Sequence, residues 1–312
     1  MEAALLAWFH ANGRDLPWRQ TRDPYAVLVS EVMLQQTQVD RVAPRYLRWL
    51  ERWPTADALA AAPRSAVIRE WQGLGYNRRA VNLHRAAQRI AAAGWPDDLT
   101  ELPGVGRYTA DALARFALEE NVLPVDTNVA RVLERTGGMF GPAAAHALMD
   151  LGATVCLRSR PRCDMCPVHE DCIARITHRI EQLPAPRPAK ALPHRDVRVL
   201  VIERDGALLF EKRPANGIWG GLWSLPECAL DDDARSIVRT RYGADVDVHD
   251  ALPLIEHGFT HFALTMHPQR LRASQWPHSA QEQGTAWLTP QDALRAALPS
   301  PIRKLMLGLQ AP

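Results

Sequence analysis

Apolar residues recur at the 3.6-residue period of an α-helix through most of the first 180 residues. Prolines lie near the starts and breaks of these apolar segments, where helices tolerate them. This part of the chain is therefore predicted to be all-α. The helical runs that the pattern indicates are Tyr25–Val39, Val42–Trp53, Ala80–Ala92, Arg107–Leu118 and Asn128–Arg135.

Towards the C-terminus the apolar period changes to two, which is typical of β-strands. Asp205-Gly206 is a hairpin-turn dipeptide and precedes a predicted strand over Ala207–Lys212. The pattern thus predicts an α+β domain. Its alternating positions are Val197, Val199 and Val201, and later Phe262, Leu264 and Met266; its predicted helices are Asp232–Arg241 and Pro290–Ala297.

A proline-rich segment separates the two patterns. Residues 183–193 contain four prolines, a composition typical of a semi-rigid linker. We predict a helical domain over residues 1–180, a linker over 181–195 and an α+β domain over 196–312.

Charge and composition exclude few classes of protein. The 312 residues are 47% hydrophobic and carry a formal net charge of +2, so no global basic field indicates nucleic acid. No apolar run is long enough to span a bilayer, and the apolar start of the chain is too short for a signal peptide. Five cysteines suit a reducing compartment, so we expect a cytoplasmic protein without a membrane partner.

Four of the cysteines lie close together with the spacing C-x6-C-x2-C-x5-C. Such a quartet indicates a metal or cluster site. Spacing alone leaves zinc and an iron–sulfur cluster open, because both take four thiolates. The predicted ligands are Cys156, Cys163, Cys166 and Cys172, whereas the isolated Cys228 is interpreted as a bystander.

Two carboxylates are candidate catalytic residues. Glu31 shares a predicted helix face with Val27 and Leu28, and a carboxyl buried among apolar residues keeps its proton near neutral pH. A solvated helix face remains an alternative for Glu31. Asp126 precedes a predicted helix and could simply be its N-cap, a position that still allows a catalytic role.

Residues 102–106, Leu-Pro-Gly-Val-Gly, predict a tight turn between two helices. Gly104 and Gly106 allow the backbone to approach a phosphate, which the amides at the start of the next helix can bind. An ordinary helix–helix turn remains the alternative.

Three blocks and the cysteine quartet, taken in order, resemble the helix-hairpin-helix DNA glycosylases of the endonuclease III superfamily. The blocks are residues 30–38 (Ser-Glu-Val-Met-Leu-Gln-Gln-Thr-Gln), 102–110 and 125–128 (Val-Asp-Thr-Asn). The first block and Tyr108 resemble its A/G-specific adenine DNA glycosylase branch. Residues 208–213 and 220–223 resemble the Nudix fold, but residues 227–235 lack the spaced glutamates of its metal motif. The resemblance therefore implies a recognition role for the second domain, without nucleoside diphosphate hydrolysis.

The resemblance implies a reaction. Glu31 matches the general acid of the family and Asp126 its second catalytic carboxylate, with Tyr108 and Asn128 beside them. Lyase-competent members have a lysine where this chain has Tyr108. Because residues 1–180 contain no lysine, no side-chain amine there can form a Schiff base, and base removal without strand cleavage is expected.

Further positions match the recognition surfaces of the family. Simple core packing remains an alternative for Trp18 and Tyr76. The matching residues are Arg14, Leu16, Trp18 and Arg19 at the edge of the adenine pocket; Gln36, Thr37, Leu74 and Tyr76 near the opposite base; Gly104, Val105 and Gly106 at the DNA backbone; and Phe259, Thr260 and His261 in the loop that reads 8-oxoguanine.

The resemblance also implies one [4Fe-4S] cluster on the quartet and a monomer. The expected partner is double-stranded DNA with an 8-oxoguanine·adenine or guanine·adenine mispair, in the cytoplasm or at a bacterial nucleoid. The segment 136–146 is shorter than the matching segment of the family, so the shape of the adenine pocket and the activity could differ from those of the family. A thymine glycosylase for G·T mismatches and a lesion-binding protein with weak catalysis are the alternatives.

Overall fold

The computed structural model describes residues 1–185, 191–214, 217–259, 261–277 and 284–310. The first part of the chain is helical, as predicted. No helix within these ranges is long and apolar enough to cross a membrane. The helices of this part are α1 (Glu2–Asn12), α2 (Pro24–Leu34), α3 (Val39–Arg52), α4 (Ala56–Ala60), α5 (Arg64–Glu70), α6 (Arg78–Ala93), α7 (Arg107–Phe116), α8 (Thr127–Thr136), α9 (Ala145–Thr154) and α10 (Ile173–Ile176).

The single helix predicted over Tyr25–Val39 is wrong. Helix α2 ends at Leu34, and α3 begins at Val39. Between them Gln36 adopts a φ of 55°, in the left-handed region, and the amide of Thr37 donates to the carbonyl of Leu34 at 3.1 Å. Neither glycine nor proline marks this turn in the sequence, so the apolar period alone could not reveal it.

The segment between α8 and α9 is short and tightly built. Gly137 ends α8 with a φ of 63°, and a Cβ at this position would lie 2.3 Å from Cδ1 of Ile173. A 3-10 turn at Pro142–Ala144 then leads directly into α9, which the apolar pattern did not predict. Leu148 and Leu151 of α9 pack against Val129 and other apolar residues of α8.

The second part of the chain is a mixed sheet with helices, which confirms the α+β prediction. The elements are β1 (His194–Arg204), β2 (Ala207–Lys212), β3 (Trp223–Ser224), β4 (Glu227–Cys228), α11 (Ala234–Tyr242), β5 (Asp245–Ala251), β6 (Ile255–Gly258), β7 (Ala263–Gln275), β8 (Thr285–Leu288), α12 (Pro290–Arg295) and α13 (Ser300–Gln310). The core strand order is β3-β2-β1-β7-β5, and β1 pairs in parallel with β7. Asp205 and Gly206 form the predicted two-residue turn, with φ values of 51° and 77°.

Both faces of the sheet are buried. Val199 and Val201 of β1 lie in a core with residues of α12 and α13. Leu200 and Ile202 point to the opposite face and lie in a core with residues of α11. Successive side chains of a strand point to opposite faces of the sheet, so alternate residues of β1 contribute to two different apolar cores.

The chain divides into two compact units that differ from a simple N-terminal and C-terminal split. One unit comprises Met1–Ala62 and Val81–Pro188; the other comprises Pro63–Ala80 and Ala189–Pro312. The sequence-based division placed residues 63–80 in the first domain. Within the second unit, Gln72 donates its side-chain amide to the carbonyl of Ala296 at 2.9 Å.

Candidate active site

Glu31 lies on α2 and is only 7% exposed. Helix α2 begins at Pro24, and the Asp23 side chain caps it by accepting from the amide of Tyr25. Nine consecutive residues, 25–33, are buried, so the carboxyl of Glu31 is enclosed. The alternative of a solvated face for Glu31 is therefore wrong.

Burial raises the pKa of Glu31 to about 7. A hydrogen bond from the Tyr108 hydroxyl lowers the pKa of Glu31, and the nearby charge of Asp126 raises it. An acid with this pKa holds a proton near neutral pH and can deliver it. The structure thus places three of the four predicted catalytic side chains in mutual electrostatic reach.

Tyr108 occupies the first turn of α7, directly after the predicted hairpin. Desolvation and the charges of Glu31 and Asp126 raise its pKa, so its hydroxyl stays protonated and donates to Glu31. At the hairpin, Gly104 has a φ of 84°, and a Cβ there would lie 2.8 Å from Cβ of Asn82. Glycine is therefore required at position 104 for this turn. The Val105 side chain is buried.

Asp126 is the N-cap of α8, and it also faces the site. Its Oδ1 accepts from the amides of Asn128 (2.9 Å) and Val129 (2.7 Å). The side-chain amide of Asn128 donates to Oδ2 at 3.1 Å. These hydrogen bonds fix the orientation of the Asp126 carboxylate, and its negative charge raises the pKa of Glu31.

Arg131, which sequence reasoning missed, holds Asn128 in place. Its Nη2 donates to Oδ1 of Asn128 at 2.9 Å and to the carbonyl of Gly152 at 2.7 Å. Its Nε donates to the carbonyl of Cys156 at 2.9 Å. Asn128 therefore has a fixed amide orientation in which its nitrogen faces Asp126.

Arg14 and Arg19, predicted at the edge of the adenine pocket, both bind Asp150. This carboxylate is 1% exposed, and it accepts from the Arg14 amide (2.9 Å), from Nε and Nη2 of Arg14 (2.8 and 2.6 Å) and from both terminal nitrogens of Arg19 (2.9 and 2.8 Å). Burial acts to raise the pKa of Asp150, but these hydrogen bonds hold it below its usual value. No local signal in the sequence marked Asp150 as this partner.

The other two pocket-edge residues are partly or fully covered. Leu16 is buried, and Trp18 packs edge-on against Tyr46 with ring centroids 5.6 Å apart. The 3-10 turn Pro17–Arg19 packs against α2. These contacts fix the segment from Arg14 to Arg19.

The residues predicted near the opposite base differ in exposure. Tyr76 is 48% exposed with a φ of 47°, which excludes simple core packing for it. Arg79 lies over the Tyr76 ring at 5.6 Å and donates to the carbonyls of Leu74 and Gly75. Leu74 itself points into the core, whereas Gln36 is exposed and Thr37 is half-buried.

The four predicted cysteine ligands all come from one loop that begins at the end of α9. All four are free thiols and half-buried, and the Cys166 thiol is close enough to the other three for mutual electrostatic interaction. Burial raises the pKa of Cys166 to about 11. Among the described side chains, no three His, Cys, Asp or Glu residues are grouped as a single metal ion requires.

Arg135 gives this loop a cationic partner. Its side chain is 2% exposed, and Nη1 lies 3.5 Å from Sγ of Cys156. The same guanidinium donates to the carbonyls of Leu157 (2.6 Å) and Arg158 (3.0 Å). Four thiols beside a buried guanidinium suit an anionic thiolate-ligated group, because hydrogen bonds to sulfur stabilise such ligands.

In the second unit, Phe259 lies in an aromatic cluster. Its ring stacks on Phe262 with centroids 4.3 Å apart and meets His257 edge-on at 4.6 Å. The Phe259 amide donates to the Phe262 carbonyl at 2.9 Å, and His261 is exposed. Thr260, the third predicted residue of this loop, lies outside the described residues.

Helix α11, the first helix after the glycines at 220 and 221, carries no carboxylate. Helix α11 has the sequence Ala-Arg-Ser-Ile-Val-Arg-Thr-Arg-Tyr. Of the nearby glutamates, Glu227 is held by Nη2 of Arg213 at 2.8 Å from both oxygens, and Glu211 accepts from the Tyr242 hydroxyl at 2.5 Å.

Family models match both parts of the chain. Residues 29–152 match the HhH-GPD superfamily of base excision DNA repair proteins, and residues 198–308 match the NUDIX domain. A solved thermostable thymine-DNA glycosylase shares the helical fold, at 25% identity with a TM-score of 0.51, over 56% of this chain and 94% of that chain. Fold and site thus define a helix-hairpin-helix base excision repair glycosylase with a Nudix-like second domain.

Curated relatives specify the branch. The adenine DNA glycosylase of Mus musculus is 31% identical over 96% of this chain and 76% of its own length. That of Buchnera aphidicola (subsp. Baizongia pistaciae) is 27% identical over 98% of this chain and 95% of its own length. The chain belongs to the adenine DNA glycosylase family.

Proposed function

We propose that this adenine glycosylase hydrolyses the N-glycosidic bond of adenine mispaired with 8-oxoguanine, or with guanine, in duplex DNA. The observation that carries the proposal is the buried Glu31, whose pKa is raised to about 7 within electrostatic reach of Asp126. A buried acid beside a second carboxylate suits a reaction in which a leaving base needs a proton and a sugar develops positive charge.

In the proposed reaction the adenine is first extruded from the duplex, because its reacting atoms are inaccessible in the base stack. Glu31 donates its proton to N7 of the purine, and the bond between N9 and C1′ breaks. The Asp126 carboxylate stabilises the cationic sugar. Water then adds its oxygen to C1′, and its proton restores Glu31. The products are free adenine and an abasic site.

Tyr108 and Asn128 position these two carboxylates through the hydrogen bonds described above. The hairpin residues Gly104 to Gly106 and the first amides of α7 would bind a phosphate through their backbone. The exposed Tyr76 and Gln36 are each proposed to contact the duplex near the opposite base, and so is the half-buried Thr37, whereas Leu74 has its side chain in the core.

A monofunctional reaction should leave the strand intact. We expect that a single-turnover assay on an 8-oxoguanine·adenine duplex gives strand breaks only after alkali, and that borohydride traps almost no covalent complex. The reason is that Tyr108 occupies the position of the lyase lysine and that residues 1–180 contain no lysine. A bifunctional endonuclease III-type glycosylase serves as the positive control.

Efficient borohydride trapping would contradict this assignment. The same assay separates the alternatives: excision from a G·T duplex alone would identify a thymine glycosylase, and tight duplex binding without excision would identify a lesion-binding protein.

We propose that Cys156, Cys163, Cys166 and Cys172 hold one [4Fe-4S] cluster. When bound, the cluster would serve as a structural crosslink of the loop. In that loop Arg158, Arg160 and Arg162 are available to bind phosphates. The cationic setting provided by Arg135 supports an anionic thiolate cluster.

Purified protein should accordingly contain about four iron and about four sulfide atoms per chain and be yellow-brown. Cys166→Ser should lose the visible absorbance, whereas Cys228→Ser, which changes a buried cysteine outside the quartet, should retain it. Stoichiometric zinc without visible absorbance would overturn the assignment.

The second domain is proposed to read 8-oxoguanine through the loop Phe259-Thr260-His261. We expect Thr260→Ala to reduce the preference for 8-oxoguanine·adenine over guanine·adenine by about two- to twelvefold, the value of one hydrogen bond. Thr260→Ser, which keeps the hydroxyl, is the matched control and should leave the ratio of single-turnover rates nearly unchanged. Equal losses on both duplexes would show that this loop adds only general affinity.

A point substitution in this loop is a better test of lesion recognition than deletion of the second domain. Deleting the whole second domain would strip Pro63–Ala80 of the packing partners with which it forms one unit. We further propose that the protein acts as a monomer. Because its proposed substrate is duplex DNA, we expect it in the cytoplasm and, in a bacterial cell, at the nucleoid.

A further inference from the structure

The two loops that are proposed to contact the opposite base belong to one compact unit. The first, the Tyr76 loop (residues 73–76), lies in Pro63–Ala80, and the second, the Phe259 loop (residues 259–261), lies in Ala189–Pro312; these two ranges form that unit. A base is a rigid plane, so two loops that contact the same base must keep a fixed position relative to each other. Residues that connect the two loops are therefore candidates for a positioning role.

The Tyr76 loop is held by hydrogen bonds from its own segment. Gly75 and Tyr76 have positive φ values of 75° and 47°. The indole Nε1 of Trp71 donates to the carbonyl of Gly75 at 3.0 Å, and Nη2 of Arg79 donates to the same carbonyl at 3.1 Å. Gln72 lies directly before this turn, so an anchor at Gln72 fixes the position of the turn.

Gln72 is anchored at the end of α12. Its side-chain amide donates to the carbonyl of Ala296 at 2.9 Å. Ala296 directly follows α12 and packs against an apolar core, and Phe259 packs against the same core. The hydrogen bond therefore connects the Tyr76 loop to the core that supports the Phe259 loop.

Helix α5 makes a second connection within the unit. A Cβ at Gly221 would lie 3.4 Å from Cδ1 of Ile68, so α5 packs directly on the turn at residues 219–221. Trp219 of this turn has a φ of 57°, which is rare for a bulky side chain, and its ring centroid lies 5.6 Å from that of Phe259. The segment Pro63–Ala80 thus contacts the surroundings of Phe259 at two places.

We propose that Gln72 is a positioning residue for recognition of the opposite base. Its hydrogen bond to Ala296 holds the Tyr76 loop at the distance from the Phe259 loop at which both contact 8-oxoguanine. Guanine lacks the C8 oxygen and the N7 proton of 8-oxoguanine, so it gains less from correct placement of the two loops. This inference rests on the proposed function, which assigns both loops to the opposite base.

Duplex binding by the full chain tests this role without excision. Two duplexes carry a tetrahydrofuran abasic site opposite 8-oxoguanine or opposite guanine, so neither has an adenine to lose. We expect Gln72→Met, which is of similar length but has no donor, to reduce the ratio of the two affinities about two- to twelvefold, the value of one hydrogen bond. Gln269→Met is the matched control and should keep the native ratio, because Gln269 likewise donates to a backbone carbonyl, that of His249.

A double-mutant cycle distinguishes positioning from a general effect on stability. Thr260→Ala alone should lower the affinity ratio, and adding Gln72→Met should then cost little more, because both residues support the same contact. Additive losses would overturn the inference, and so would equal weakening of both duplexes in Gln72→Met. Thermal unfolding checks each variant, and Gln72→Ala, which also lacks the donor, replaces Gln72→Met if the latter is unfolded.

The outcome for Gln72 is separable from the outcome for the proposed reaction, because excision is measured on its own. A native chain that binds both abasic duplexes equally would overturn the inference, since no preference would then depend on Gln72. A chain that excises adenine but keeps its affinity ratio in Gln72→Met refutes only this inference. One that shows the expected ratios without excising adenine refutes only the proposed reaction.

Discussion

Replacing Glu31 with glutamine is expected to lower the single-turnover excision rate by about 10²–10⁴-fold, the usual contribution of a general acid. The amide has the same size and can still accept the Tyr108 hydrogen bond, but it has no proton to deliver to the base. Binding of the lesion duplex should persist, so the loss appears in the chemical step. Glu51→Gln, which changes an exposed glutamate of α3, is the matched control.

The pH dependence of the excision rate provides a second test of Glu31 as the general acid. Because the pKa of Glu31 is raised to about 7, the acid is protonated below this pH and ionised above it. Native excision should therefore decline as the pH rises through about 7, and the Glu31→Gln variant should lack this decline. A near-native rate in the variant would show that another group delivers the proton.

Asp126→Asn is expected to reduce excision by about 10²–10³-fold, because the carboxylate charge that stabilises the cationic sugar is lost. Asparagine is also a good N-cap, so α8 should remain folded. The substitution should lower the pKa of Glu31 too, since the charge of Asp126 contributes to raising it. The pH at which excision declines should thus move to a lower value.

A matched control for Asp126→Asn exists in the second unit. Asp233 is likewise an N-cap, and its side chain accepts from the amide of Ser236 at the start of α11. Asp233→Asn should leave both the excision rate and its pH profile unchanged. A rate loss in Asp126→Asn without any shift of the pH profile would contradict the electrostatic coupling between Asp126 and Glu31.

Features encoded by neighbouring residues were determined by the sequence itself. The change of apolar period predicted a helical part and an α+β part, and the turn at Asp205-Gly206 formed where its composition indicated. These predictions succeed because a turn or an amphipathic helix depends on interactions within a few residues. The four cysteines of the quartet lie in one short segment, and their role as ligands of a cluster stays a prediction.

The break at Gln36 shows where local reasoning fails. Residues 35–38, Gln-Gln-Thr-Gln, are polar, but they include no glycine or proline that would mark a turn. Gln36 nevertheless adopts a left-handed conformation, which glutamine takes rarely, so its local preference does not explain this turn. The association of Pro63–Ala80 with a sheet more than a hundred residues later was equally invisible.

The sequence alone therefore determined the two fold classes, and it indicated Glu31 as the candidate acid and four cysteines as candidate ligands. Tertiary structure decided whether Glu31 is buried or solvated, whether the N-cap Asp126 faces that acid, and that Asp150 engages Arg14 and Arg19. The physical reason is distance. Desolvation and Coulomb interaction depend on which side chains surround a charge, and only folding brings residues 31, 108 and 126 together.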